Sequence, residues 1–152
     1  MTETMGTTTA VADGTGFLAD LEALRRLTHE YCRAVDTSRI EDVADLFAAD
    51  AEWDATEFGM EVLRGRDAIR EFFAGLVENT EHRCHLALNH MINIDGDAAS
   101  ATVYLHAMVV MADGRRDESV GYYTDDYVRT AQGWKFRRRA AHPLLAPPPP
   151  PV

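Results

Sequence analysis

Three turn dipeptides, Asp95-Gly96, Asp113-Gly114 and Gln132-Gly133, constrain this chain more than any other feature. They cut its C-terminal half into four strand-like runs: CHLALNHMINI, AASATVYLHAMVVM, ESVGYYTDDYVRT and WKFRRRAA. The runs are long and the connections tight. Each run must therefore lie antiparallel beside the one before it, giving a meander in sequence order.

The first half has a different period. In FLADLEALRRLTHEYCRAV, residues Leu21, Leu24, Leu27, Tyr31 and Val35 recur three or four apart, which predicts an amphipathic helix ending at Asp36. Ser38 with Glu41 then reads as a capping box opening a second, short helix, RIEDVADLF. AEWDAT alternates like a strand, and RDAIREFFAGLVEN places Ile69, Phe72, Phe73 and Leu76 on one helical face. The expected fold is α+β: a curved, mostly antiparallel sheet, a cone-like barrel, packed on three N-terminal helices. Residues 1–15 read as a flexible arm, 16–142 as the domain, and 143–152 as a proline-rich extended tail. A curved sheet over apolar helix stripes encloses a concave pocket suited to a small molecule.

Charge narrows the partners. The formal net charge is −10, from 25 acidic and 15 basic residues. An excess of that sign disfavours nucleic acid and anionic membranes, which need a basic face. No apolar run approaches a membrane span, and the N-terminus lacks a basic and then apolar leader, so a cytoplasmic protein is expected. Cys32 and Cys84 are too few for a disulfide framework and have no zinc spacing.

The stretch HRCHLALNH, residues 82–90, holds three histidines and one cysteine. On a regular strand His82 and His90 lie roughly 26 Å apart at ~3.3 Å per residue, and His85 has the opposite parity. No three of these side chains converge on one ion, so no metal is expected. Cys84 and His85 are adjacent and point to opposite faces, which rules against a thiol–imidazole pair. His85, Ala87, Asn89 and Met91 share one face; Cys84, Leu86, Leu88, His90 and Ile92 share the other. His85 is then either a structural residue or a base in a pocket wall. Asp36 ends a helix where the macrodipole disfavours an acid. It is either a solvated loop carboxylate or an acid with a tertiary partner such as an imidazole.

The segments EYCRAVDTSRIEDVADLFAADAEWD, GRDAIREFF, HLALNHMINIDGDAASATVYL and YYTDDYVRTAQGWKFRRR resemble the SnoaL-like branch of the nuclear transport factor 2-like superfamily. The resemblance covers roughly residues 17–141 and is strongest to the group of scytalone dehydratase, bile-acid 7α-dehydratase and hexachlorocyclohexane dehydrochlorinase. It implies a cofactor-free Asp–His dyad, with Asp36 at the family's acid and His85 at its histidine. It also implies active-site roles for Tyr31 and for Arg139, five residues after Trp134. The second half of the constellation departs from the family. Ala107 stands where the bile-acid enzyme has an Asp, with His106 beside it, and Val110 aligns with the second His of the scytalone enzyme.

The resulting expectation is a cofactor-independent lyase, of dehydratase or dehydrohalogenase type, acting on a hydrophobic cyclic small molecule. Asp36, His85, Tyr31 and Arg139 are its catalytic candidates. Trp53, Asn89, Met91, Tyr104 and His106 are the candidates for substrate contact. A polyketide cyclase or ketosteroid-type isomerase would use the same dyad, and a non-catalytic ligand-binding protein is a third reading. The apolar character of both faces of VYLHAMVVM leads us to expect a homodimer or homotrimer.

Overall fold

The computed structural model describes residues 14–145. The expected N-terminal arm lies outside them except for Gly14 and Thr15, which are already helical, and the tail lies outside them beyond Leu145. Helix α1 spans Gly14–Asp36, α2 Ile40–Asp45 and α3 Arg66–Asn79. The strands are β1 (Phe47–Asp54), β2 (Leu63–Arg64), β3 (Thr80–Asp95), β4 (Ala98–Met111), β5 (Arg116–Thr130) and β6 (Gly133–Pro143). A single 3-10 turn, Thr56–Phe58, links β1 to β2.

The six strands form one curved sheet in the order β2-β1-β6-β5-β4-β3, which is not closed. Strands β3 to β6 pair antiparallel in sequence, as the tight turns require, and Gly96, Gly114 and Gly133 all take positive φ there. The parallel pairing of β1 with β6 has no local signal in the sequence, because it joins segments more than eighty residues apart. Gly121 is needed for a different reason. A Cβ at this position would lie 2.0 Å from the carbonyl oxygen of His142, so only glycine lets β5 and β6 approach there.

The three helices cover the concave face. Leu24, Leu27, Tyr31 and Val35 of α1 are buried against Phe47 and Trp53 of β1, Phe73 of α3, and Tyr123, Tyr127 and Phe136 of β5 and β6. The aromatic rings meet mostly edge to face, Tyr31 alone touching Phe47, Phe73, Tyr123 and Phe136. Among the described residues no helix is long and apolar enough to cross a membrane.

The expected capping box does not form. Ser38 adopts φ 61°, and its hydroxyl accepts a hydrogen bond from Arg83 Nη2 at 2.5 Å. Arg39 occupies the N-cap of α2, which has no side-chain cap. The hydroxyl expected to start α2 instead ties the α1–α2 turn to β3.

A β-bulge also breaks the expected parity of β3. Leu88 pairs with Tyr104 and Met91 with Thr102, so Asn89 and His90 together oppose one residue of β4. Asn89 takes φ 53°, a left-handed conformation that Asn tolerates better than most residues. Before the bulge, Arg83, His85 and Ala87 face the helices; after it, His90, Ile92 and Ile94 do. Asn89 and Met91 therefore do not share a face with His85, and Met91 is 70% exposed.

Candidate active site

Helix α1 and strand β3 run side by side; Arg83 Nε donates to the Val35 carbonyl at 3.1 Å, and two further contacts frame the site. At the C-terminal end of α1, Asp36 Oδ1 lies 2.7 Å from His85 Nδ1, and Asp36 Oδ2 accepts a hydrogen bond from the His85 backbone N–H at 2.9 Å. The side chains are 22% and 10% exposed. Because the carboxylate can only accept, Nδ1 carries the proton in the neutral imidazole, and Nε2 is left with a lone pair. Seven residues earlier on α1, the ring of His29 meets His90 edge to face, with centroids 5.2 Å apart.

Between the two contacts lies an open cleft of about 340 Å³, lined by His29, Cys32, Arg33, Asp36, His85, Leu86, Ala87 and Leu88. Cys32 and Ala87 are small, which leaves room for a ring between α1 and β3. Burial pushes the Cys32 thiol up to about 11, so it is an inert wall and not a nucleophile. The i, i+3, i+7 spacing of His29, Cys32 and Asp36 places all three on one helical face. That spacing was the signal by which His29 and Cys32 could have been found from sequence.

Tyr31 and Arg139 lie behind this cleft, in the core. Tyr31 is almost fully buried, and its hydroxyl oxygen accepts a hydrogen bond from Trp53 Nε1 at 3.2 Å. Burial pushes the phenol up to about 12, so it stays protonated and able to donate. Arg139 is wholly buried and pairs with Asp125 through Nε at 2.8 Å and Nη2 at 2.7 Å, while Nη2 also donates to Thr28 Oγ1 at 3.2 Å. Its guanidinium carbon lies 3.9–4.4 Å from the ring centroids of Tyr31, Tyr123 and Phe136. Burial works against this charge, but Asp125 outweighs it and holds Arg139 protonated well above its ordinary value. Asp125 is a residue sequence reasoning missed. In the Asp-Asp pair of β5 it alternates inward with Tyr123 and Tyr127, whereas Asp126 faces out.

The remaining candidates separate. Trp53 is buried against Phe72 and Phe73. Tyr104, 44% exposed, and His106 lie on the outer face of the sheet, the one turned away from the helices. There His106 Nε2 lies 2.5 Å from Glu118 Oε1. With Asn89 and Met91 also turned out and Trp53 in the core, none of the five expected substrate contacts lines the cleft. The cause is strand parity: one bulge on β3, and the even-numbered residues of β4 facing out. Among the described residues no three His, Cys, Asp or Glu side chains are grouped to hold a metal ion.

Comparison with known proteins agrees with this architecture. A family model described as the SnoaL-like domain matches residues 17–140. An uncharacterized protein of Mycobacterium tuberculosis is 30% identical over 125 residues, covering 80% of this chain and 84% of its own. The crystal structure of a provisionally named aromatic ring hydroxylase from Novosphingobium aromaticivorans superposes with a TM-score of 0.84 at 34% identity, over 86% of this chain and 93% of that one. A provisionally named scytalone dehydratase from the same organism gives a TM-score of 0.80 at 24% identity, over 87% and 89% of the two chains.

Proposed function

The chain belongs to the SnoaL-like domain family of the nuclear transport factor 2-like superfamily, and from that premise we propose that it is a cofactor-independent lyase acting on a hydrophobic cyclic small molecule. The observation that carries this reading is the double grip of Asp36 on His85. The grip fixes the tautomer and aims the Nε2 lone pair, which is what a general base requires.

In the proposed reaction His85 Nε2 takes a proton from ring carbon, made acidic by conjugation to a carbonyl. The C–H electron pair becomes the new C=C bond as hydroxide leaves the neighbouring carbon. The imidazolium returns its proton to that hydroxide, so water departs and His85 is neutral again. Asp36 stabilises the imidazolium while it exists. Tyr31 and Arg139 are the proposed donors to the carbonyl oxygen, where negative charge gathers. The small, apolar Ala87 and Cys32 suit a ring with few charges.

The test is a hydroxylated cyclic ketone incubated with wild type, His85→Ala and Asp36→Asn, followed by mass spectrometry. Loss of one water by wild type and not by His85→Ala supports the lyase. A changed product of unchanged mass would instead mark an isomerase or cyclase using the same pair. Turnover that survives His85→Ala intact would remove the dyad from the mechanism.

A further inference from the structure

Among the described residues only Ser38 and Asn89 take a positive φ without being glycine. An L side chain adopts that region at a cost, and such residues persist only where their surroundings hold them. What holds Ser38 is Arg83. Its Nη2 donates to Ser38 Oγ at 2.5 Å, and its Nε donates to the Val35 carbonyl at 3.1 Å. Nη1 donates to the carbonyl and the hydroxyl oxygen of Thr80, at 3.1 and 2.6 Å. Thr80 Oγ1 in turn donates to the Leu76 carbonyl at 2.6 Å. One guanidinium thus ties together the end of α1, the turn into α2 and the junction of α3 with β3.

Arg83 and His85 share the inner face of β3, opposite Val109 and Ala107 of β4. Their partners on α1 are consecutive residues, Val35 and Asp36. Two tethers about 6.6 Å apart therefore join the same helix end to the same strand. One tether sets a distance; the second also sets a direction. Without Arg83, the end of α1 is free to pivot about the Asp36 carboxylate. That carboxylate stands on a short side chain, and its bonds of 2.7 and 2.9 Å do not both survive a shift of about 1 Å. We propose that Arg83 is the positioning residue of the Asp36–His85 pair: by fixing the end of α1 it keeps both carboxylate oxygens on His85 and the imidazole proton on Nδ1. This deepens the lyase reading, and rests on it only for the use made of the Nε2 lone pair.

Charge and shape explain why this residue is an arginine. The carbonyl end of α1 is negative through the helix dipole, and Asp36 adds a carboxylate to it. A cation brought over from β3 offsets both, which removes the misfit of an acid at that end. Lysine would supply the charge, but its single nitrogen cannot serve a helix carbonyl, a turn hydroxyl and a strand residue at once. The planar guanidinium does so with three nitrogens. Arg83 does not line the cleft, so it acts through Asp36 and not on a bound molecule.

The test reads the His85 tautomer from its ring ¹⁵N signals in the ligand-free protein, in wild type, Arg83→Met, Arg83→Lys and Leu24→Ala. In wild type the Nδ1–H form should exceed the Nε2–H form by at least about tenfold, the worth of one hydrogen bond to a charged group. Arg83→Met should cut that excess several-fold and bring the two nitrogen signals towards each other. Arg83→Lys, with the charge but not the fork, should fall between. Leu24 is wholly buried on the same helix, about 18 Å from Asp36 at 1.5 Å per residue. Leu24→Ala therefore lowers stability without touching the tether, and should leave the tautomer as in wild type. If Arg83→Met fails to fold, Ser38→Gly carries the test. Glycine takes φ 61° without strain but offers the guanidinium no hydroxyl, so the excess should still fall. A wild type without the Nδ1–H excess, an excess unchanged in the folded Arg83 and Ser38 variants, or one lowered equally by Leu24→Ala would each overturn the proposal. No substrate enters, so the two readings fail separately. An unshifted tautomer removes the role of Arg83 and leaves the lyase standing, whereas a shifted tautomer without turnover removes the base and leaves the positioning.

Discussion

The Asp36 carboxylate holds His85 at two atoms, the imidazole Nδ1 at 2.7 Å and the backbone N–H at 2.9 Å. The second bond matters as much as the first. A carboxylate tethered to the main chain of its own partner cannot rotate away, so the imidazole plane is fixed relative to β3. Asp36→Asn keeps the shape but offers an amide that can present N–H to Nδ1, which would favour the wrong tautomer. The expected loss in kcat is about 10²–10⁴-fold, the ordinary worth of a positioned general base, with a smaller change in KM. Stopped assays on the hydroxylated cyclic ketone that converts in wild type would measure it; a loss under threefold would show that Asp36 only anchors β3.

His90 should make the fold acid-sensitive. Its native value lies below 6.5, so as pH falls through 6.5 the unfolded chain takes up this proton before the native one does. Stability is therefore unaffected by His90 above that pH and declines below it. His90→Leu removes this contribution and should flatten the fall between pH 7 and pH 5 in urea unfolding. The groups facing His90 are His29 and Arg25 on α1, Arg139 on β6 and Asp125 on β5. Identical slopes in wild type and variant would show that other groups set the acid limit.

The thiols should differ sharply. Cys32 is buried with its thiol pushed up to about 11, whereas Cys84 is exposed on the outer face. Iodoacetamide at pH 8 should modify Cys84 and spare Cys32 until the fold is opened by denaturant, as peptide mass mapping would reveal. Native labelling of Cys32 at a similar rate would mean that α1 lifts from β3 readily.

Most of the scaffold was legible in the sequence because its signals are local. Helix stripes and Asp-Gly turns placed α1, α3 and the four long strands to within a few residues, and β4 and α3 at their bounds. The pairing of Asp36 with His85 joins residues forty-nine apart, and no local rule specifies it. It was approached through resemblance and through one misfit, an acid at a helix C-terminus. What failed was parity. Reading β3 as a regular strand put Met91 on the face of His85 and His90 on the opposite one, and one left-handed Asn89 reverses both. The cleft residues His29 and Cys32 escaped notice for another reason: on an amphipathic helix they sit beside the apolar stripe, where polar residues are unremarkable.

The outer face of the sheet should carry self-association. Leu86, Leu88, Met91 and Tyr104 are 43–70% exposed and contiguous, since Leu88 pairs with Tyr104 across β3 and β4. A monomer rarely leaves so many large side chains together in water. A second copy is the expected cover, and light scattering should give a mass of at least two chains. Leu88→Glu with Met91→Glu should shift that mass to one chain at micromolar concentration. A wild type that is already monomeric there would reject the expectation.

The ion pair of Arg139 with Asp125 should behave as a strut, and its energetics can be separated from its chemistry. Both side chains are buried, and the guanidinium is stacked among Tyr31, Tyr123 and Phe136. Removing one partner strands the other's charge in the core, so Arg139→Met and Asp125→Leu should each cost about 3–5 kcal/mol in denaturant unfolding. Removing both leaves no stranded charge, and the double variant should recover a large share of that loss, a coupling far outside additivity. Recovered stability would not restore turnover if Arg139 also receives the substrate oxygen, because Met has no N–H to offer. A double variant that regains both stability and rate would confine Arg139 to structure. One that regains stability but stays slow, with KM raised for the ketone, places its guanidinium in contact with the carbonyl.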